Sequence, residues 1–348
     1  TLALSAGCAT TPHASAEAAT ATDEFIVQYE PLAPGLYESA YGAKTGHLYV
    51  TSAVGRPPVK TSQLLKVDPA GLTIEARTTP PLQAGRDDGQ LQAVYGVDID
   101  DARGRVWVTN TRGGSIAVYR ESDLGLIKQF PEGTVPHSRD VLVDSANTRV
   151  YVSSPASNLI HVFDATTLAP LQEIAVQGPG TETPKLMGLA LDAAHGKLYA
   201  VSLNTNELFV IDTAGRHLEH AYALPGAQGA SGVAVDSQGG RVYVASQKSG
   251  NVLIVDAANG TVLHDVATGA GALNVAFDPK SRLAYVANRK ADTITVLDSE
   301  GRIHAQIPTG SAPNHITIDD QGDAYVLNKG KGKNDPTANR ITRIHAGQ

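Results

Sequence analysis

Basic side chains are concentrated in a few short segments, and clustered cations are the residues with which proteins bind anions. The densest run is Lys329, Lys331 and Lys333 within the segment 328–335, and Arg289 and Lys290 precede it in the chain. Glycines separate the three lysines, but no Ser or Thr follows a Gly-Lys pair, as a phosphate-binding P-loop requires. These residues predict anion binding without a nucleotide motif, and a flexible solubilising loop is the alternative interpretation.

Two histidines, His137 and His315, are the candidates for binding a metal ion. They are distant in sequence, and a metal site would need a third ligand, for which the sequence offers only scattered acidic and amide side chains. A single methionine and a single cysteine give no indication of a soft-metal copper site. The sequence therefore predicts no metal or other cofactor, and histidines that only form hydrogen bonds are the commoner case.

A repeat predicts the elements that must position these side chains. A short β-branched segment with a central aromatic residue occurs seven times, and the aromatic residues are Tyr49, Trp107, Tyr151, Tyr199, Tyr243, Tyr285 and Tyr325. Their separations of 40 to 58 residues, with several short strands in each unit, are typical of a β-propeller. We predict an all-β, seven-bladed β-propeller over 24–348, in which these aromatic residues pack between blades.

The last repeat unit lacks a fourth strand, because the sequence ends after the segment 340–344. A lone strand pattern at 24–29 precedes the first unit and has no partner of its own. We expect this N-terminal strand to close the ring as the outermost strand of blade seven, which removes the edge that an open ring would expose.

In a propeller, the loops that enter each innermost strand and those that leave each second strand open on one face, around the central channel. On this chain those loops carry many more basic than acidic residues, although the formal net charge is −7. We predict that this face binds the ligand. The predicted ligand-binding residues are Tyr37, Arg56, Lys60, Tyr95, Arg139, Lys185, Asn274, Arg289, Lys290, Asn314, His315, Lys329, Lys331 and Lys333.

The segment Leu2–Cys8 resembles the end of a bacterial lipoprotein signal, in which small residues precede a cysteine that becomes lipidated. Ser5 occupies a position where that signal prefers Leu. We expect 1–8 to be a signal remnant with Cys8 as the lipidation site, and 9–23 to be a disordered tether. The protein would then be periplasmic and anchored to the outer membrane of a Gram-negative bacterium.

The second-strand motifs Val106–Asn110, Ala284–Asn288 and Val150–Ser153 resemble the signature of the YVTN family of bacterial propellers. The segments Tyr37–Tyr41, Ser138–Asp140 and Gly188–Asp192 are similar to the periplasmic YncE-type seven-bladed members of that family. The resemblance covers roughly 24–345 and implies the fold and the compartment. It also implies a non-enzymatic protein for which single-stranded DNA is the suggested ligand.

Three functions remain open from the sequence. The first is a non-catalytic monomer that binds an anion at the basic face, either single-stranded DNA or a smaller carboxylate-rich or metal-chelate ligand. The second is an interaction scaffold for an envelope protein, such as an outer-membrane uptake receptor. The third is a lactonase or lyase with a metal ion in the channel.

Overall fold

The computed structural model describes residues 19–22, 24–332 and 334–347, and their regular structure is entirely β. The chain begins with two strands, β1 (Ala19–Thr22) and β2 (Phe25–Pro31), and continues as successive groups of antiparallel strands. The described residues contain no helix that is long and apolar enough to cross a membrane.

Each group of strands forms one blade. Blades one to three comprise β3 (Leu36–Gly42), β4 (His47–Val54), β5 (Thr61–Asp68) and β6 (Thr73–Thr78); β7 (Val97–Asp100), β8 (Arg105–Asn110), β9 (Ser115–Arg120) and β10 (Leu126–Gln129); and β11 (Val141–Asp144), β12 (Arg149–Val152), β13 (Leu159–Asp164) and β14 (Pro170–Ala175). Blades four to six comprise β15 (Leu186–Asp192), β16 (Lys197–Ser202), β17 (Glu207–Asp212) and β18 (His217–Ala223); β19 (Ala230–Asp236), β20 (Arg241–Ser246), β21 (Asn251–Asp256) and β22 (Val262–Ala267); and β23 (Ala272–Asp278), β24 (Leu283–Asn288), β25 (Thr293–Leu297) and β26 (Ile303–Pro308). Blade seven contains β27 (Pro313–Ile318), β28 (Ala324–Asn328) and β29 (Arg340–Ala346).

The first strands of the seven blades surround the centre of the molecule. Each of β3, β7, β11, β15, β19, β23 and β27 contacts the first strand of the following blade, and β27 contacts β3. The seven sheets therefore form a closed ring, and the predicted seven-bladed β-propeller is confirmed.

Blade seven is completed from the other end of the chain, as the sequence predicted. Strand β2 pairs antiparallel with β29 from Phe25 opposite Ala346 to Pro31 opposite Arg340. It is the fourth strand of the blade but not the outermost one, because β1 pairs with the outer edge of β2. The prediction of a disordered tether over 9–23 is therefore wrong for Ala19–Thr22, since β2 offers these residues a free edge of backbone N–H and C=O groups.

The burial of each strand follows its distance from the centre. The second strand β20 is buried along nearly its whole length, whereas the fourth strand β22 alternates between half-buried and exposed residues. A second strand is enclosed because a neighbouring blade covers each of its faces, and this explains its nearly continuous apolar sequence. All seven repeated aromatic residues are at most 2% exposed, which confirms that they pack between blades.

The turn that joins the first two strands of each blade ends in a residue with a left-handed backbone. Glycine adopts this conformation at most of these positions, for example Gly46 at φ 68° and Gly240 at φ 63°. Thr148 and Arg282 adopt it without glycine, at φ 56° and 65°. The same left-handed turn geometry therefore recurs in the first hairpins around the ring.

Candidate functional site at the channel mouth

Two predicted site residues, Asn274 and His315, lie on first strands around the channel, and Asp140, which is not among the predicted residues, lies at the equivalent position just before β11. Asp140, Asn274 and His315 each lie four residues before the acidic residue that follows or ends the strand. Each accepts a hydrogen bond from a backbone N–H of the next blade: Leu189 to Asp140 Oδ2 (2.8 Å), Ile316 to Asn274 Oδ1 (3.0 Å) and Ser39 to His315 Nδ1 (3.3 Å). These side chains therefore link neighbouring blades in addition to lining the channel.

His315 is held as a neutral imidazole. Because its Nδ1 accepts from the Ser39 N–H, its proton resides on Nε2. Burial lowers the pKa of His315, and the nearby Arg139 lowers it further while Glu38 opposes them. At neutral pH the group is a hydrogen-bond donor and not a cation.

The channel mouth contains an ion pair between blades one and three. The Arg139 guanidinium donates to Glu38 Oε1, and the Glu38 side chain is 4% exposed while that of Arg139 is 28% exposed. The attraction of Glu38 raises the pKa of Arg139. Arg139 therefore keeps its charge, and part of its side chain remains open to solvent.

A lysine from blade seven lies over a tyrosine from blade one at the same mouth. Lys329 Nζ is 3.3 Å from the centre of the Tyr37 ring, and Tyr37 meets Tyr95 edge to face with ring centres 4.6 Å apart. Burial, followed by repulsion from Arg289, Arg112 and Arg139, lowers the pKa of Lys329 to about 7. Positive charge thus converges here from blades two, three, six and seven.

We call this group the mouth cluster, and it contains Tyr37, Tyr95, Arg112, Arg139, Arg289 and Lys329. The sequence predicted five of its members. Arg112 is the sixth member and is not among the predicted site residues, because nothing in its local sequence separates it from the other loop cations. Its influence on Tyr37, His137 and Lys329 shows that it belongs to the site.

Several other predicted site residues lie next to the cluster or away from it. Asn314 donates from Nδ2 to the Tyr37 carbonyl (2.7 Å) and so supports the cluster. Lys331 forms an ion pair with Asp292, and Lys290 lines a separate cavity of about 440 Å³ between blades five and six.

The remaining predicted residues of the described chain lie away from the cluster. They are exposed on loops of blades one and four, and they are Arg56, Lys60 and Lys185. Lys333 and Cys8 lie outside the described residues.

The two candidate metal ligands lie in a positively charged environment. Burial, Arg112 and Arg139 lower the pKa of His137, and His315 is held by a backbone hydrogen bond. Within residues 19–22, 24–332 and 334–347, no group of three or more His, Cys, Asp or Glu side chains is arranged to hold a metal ion.

Below the mouth cluster, the channel contains an open cavity of about 340 Å³ whose lining includes Asp98, Asp140, Asn274 and His315. Burial raises the pKa of Asp98 to about 7. Burial and the Glu38 charge likewise raise the pKa of Asp140 to about 7, although Arg139 partly opposes them. The site therefore has cations at its entrance and two carboxyl groups deeper in the channel.

The raised pKa of Asp140 predicts a pH-dependent cost to stability. Its unfolded-state pKa is near 3.8 and its folded-state pKa about 7, so its contribution is most favourable below pH 4 and is lost as the pH rises through 7. We expect Asp140→Asn to stabilise the protein by about 1–3 kcal/mol at pH 8 and by much less at pH 5. Urea unfolding of the wild-type protein and the variant at both pH values measures the difference in unfolding free energy. An equal difference at pH 5 and pH 8 would contradict the prediction.

Comparison with solved structures supports the fold. The chain is similar to Kuenenia stuttgartiensis hydrazine synthase, with a TM-score of 0.69, 16% identity, and coverage of 85% of this chain and 93% of that one. It is also similar to a streptogramin B lyase, with a TM-score of 0.71, 14% identity, and coverage of 94% and 100%. The shared feature is the β-propeller. No family model and no curated protein matches the chain.

Proposed function

We propose that this protein is a non-catalytic binding protein that holds a small anionic ligand at the mouth cluster. One observation carries the proposal: Lys329 lies half-buried over the Tyr37 ring near Arg112, Arg139 and Arg289, and burial, followed by repulsion from these three arginines, lowers its pKa to about 7. Among the described residues, Glu38 is the one carboxylate that forms an ion pair with the cluster. An anion would relieve this repulsion and be attracted by several charges at once.

The geometry favours a small anion over single-stranded DNA. Non-specific single-strand binding uses aromatic faces on which bases stack. Here Lys329 covers the face of Tyr37, and the Tyr95 ring meets Tyr37 edge to face. If a DNA strand contacted all four cations, a plot of the logarithm of its binding constant against the logarithm of the salt concentration would have a slope of about −2.8. Titration of oligo(dT) at several salt concentrations tests this alternative.

The proposed setting comes from the sequence resemblances. The YVTN-like motifs and the lipoprotein-like segment before Cys8 support a periplasmic, outer-membrane-tethered monomer. An envelope scaffold that serves an uptake receptor is compatible with this setting and would use the exposed rim. A pull-down from envelope extract that is unaffected by loss of the mouth cations would favour the scaffold.

A lactonase or lyase is the remaining candidate, and the name of one structural neighbour, streptogramin B lyase, is what brings it forward. The likeness to that structure concerns the fold alone. Metal analysis of the purified protein, with an assay for lactone opening, tests this candidate independently of anion binding.

Sulfate titration tests the proposed function, since sulfate does not change charge near pH 7. We expect affinity to be nearly constant below pH 7 and to fall by up to roughly tenfold per pH unit above it, because Lys329, with its pKa of about 7, must take up a proton when the anion binds. Ionisation of Asp140 acts in the same direction.

Lys329→Met is the test variant. Arg77→Gln is the control, because it removes an exposed cation from the outermost strand of blade one. We expect Lys329→Met to weaken sulfate binding at pH 6 and to reduce its pH dependence, and Arg77→Gln to change neither. Calorimetric titration provides both measurements. Sulfate binding that Lys329→Met leaves intact would contradict the proposal.

A further inference from the structure

The channel below the mouth cluster carries the opposite charge from the cluster. Asp98 and Asp140 both line the cavity of about 340 Å³. Arg139, which belongs to the mouth cluster, directly precedes Asp140 in the chain, and Glu38, its ion-pair partner, directly precedes Ser39 of the cavity wall. The cationic entrance and the acidic cavity therefore adjoin each other along the chain at two places, in blades one and three.

The Asp140 carboxylate has unused hydrogen-bonding capacity. Its Oδ2 accepts from the Leu189 N–H at 2.8 Å, whereas its Oδ1 accepts no hydrogen bond from a described residue. Asp98 uses one oxygen for the Ile99 N–H (2.9 Å) and the other for the Val143 N–H (2.7 Å), and each oxygen retains a second lone pair. A donor that enters the cavity would find acceptors on two neighbouring blades.

We propose that the ligand is a zwitterion, whose anionic group is held by the mouth cluster and whose protonated amine enters the cavity to meet Asp140 and Asp98. This inference rests on the proposed function of the same site and assigns its ligand class. A simple anion would relieve the repulsion among the cations and leave the carboxyl groups unpaired, whereas a zwitterion pairs both sets of charges.

The groups that face Asp140 agree with this assignment. They are Arg139, which favours its ionised form, and Glu38 and Asp98, which oppose it together with burial. The net result is a raised pKa, which shows that Arg139 alone does not compensate the carboxyl charge. A bound ammonium group would supply the missing positive charge and donate up to three hydrogen bonds.

A matched pair of ligands tests the inference: 3-aminopropanesulfonate and propanesulfonate, which differ in one ammonium group. We expect the wild-type protein at pH 7 to bind the aminated compound roughly tenfold or more tightly than the other, the difference typical of a hydrogen bond between charged groups. Asp140→Asn should reduce the ratio, and the double variant Asp98→Asn with Asp140→Asn should bring it near one, while propanesulfonate binding stays equal or becomes stronger in both. Asp87→Asn, which removes an exposed acid from a loop of the same face, should leave the ratio unchanged.

The outcomes separate this inference from the proposed function. If propanesulfonate binds and the amine adds nothing in the wild-type protein, the zwitterion assignment is wrong and the anion site stands. If the full preference persists in the double variant, the assignment to this cavity is wrong. If neither compound nor sulfate binds, both proposals are wrong. The wild-type comparison needs no variant, so it remains decisive even if Asp140→Asn does not fold.

Discussion

Phe25→Ala is expected to lower the free energy of unfolding by about 3–5 kcal/mol. Phe25 is 1% exposed and packs with Tyr285, Ile307 and Ile344 in the core between blades six and seven. Truncation would remove the transfer free energy of the ring and leave a cavity that the surrounding strands fill only partly. The residue belongs to β2, so the loss measures how much the N-terminal strand contributes to closing the ring.

The neighbouring residue provides the control. Ile26 follows Phe25 in the same strand, but its side chain points to the other face and is 53% exposed. Ile26→Ala should change stability by no more than about 0.5 kcal/mol. Urea unfolding of both variants gives the comparison. Equal losses would mean that β2 does not bury Phe25 in blade seven in solution.

Arg139→Met is expected to destabilise the protein by about 2–4 kcal/mol and to abolish anion binding at the mouth. The variant leaves Glu38, 4% exposed, without its cation, and an uncompensated buried charge is costly. The estimate lies below the usual range for a fully buried pair, because Arg139 is 28% exposed and water screens part of the interaction.

A second variant separates stability from binding. Glu38→Gln combined with Arg139→Met removes both charges, and we expect the double variant to recover most of the lost stability. Sulfate binding should remain weak, because the cation is still absent. Chemical denaturation of the two single variants and the double variant measures their stability, and calorimetric titration measures their sulfate binding. Together with the wild-type protein they form a double-mutant cycle. Recovery of binding together with stability would show that Arg139 acts only through the fold.

The fold could be predicted because its signals are local and repeated. Each second strand is β-branched with a central aromatic residue, since both of its faces are covered, and the seven copies count the blades. The unpaired strand pattern near Phe25 also predicted the ring closure, because blade seven lacked a strand. The short strand Ala19–Thr22 was missed because its sequence is weakly apolar and its pairing depends on the free edge of β2.

The site was predicted only in part, because its residues come from several blades. The sequence placed Tyr37, Arg139 and Lys329 on the same face, and it also placed Lys331 and Lys290 there with equal weight. Which of these side chains meet at the channel mouth depends on how the blades are arranged in the closed ring. Lys329 lies over the Tyr37 ring, whereas Lys331 forms an ion pair with Asp292.

The sequence by itself thus determined the strand order, the blade number and the basic face, since these follow from patterns within single blades. The tertiary structure decided which charges of the described residues form ion pairs and which converge at the channel mouth. It did so because ion pairs such as Glu38–Arg139 join residues far apart in the chain, and no local pattern encodes their distance.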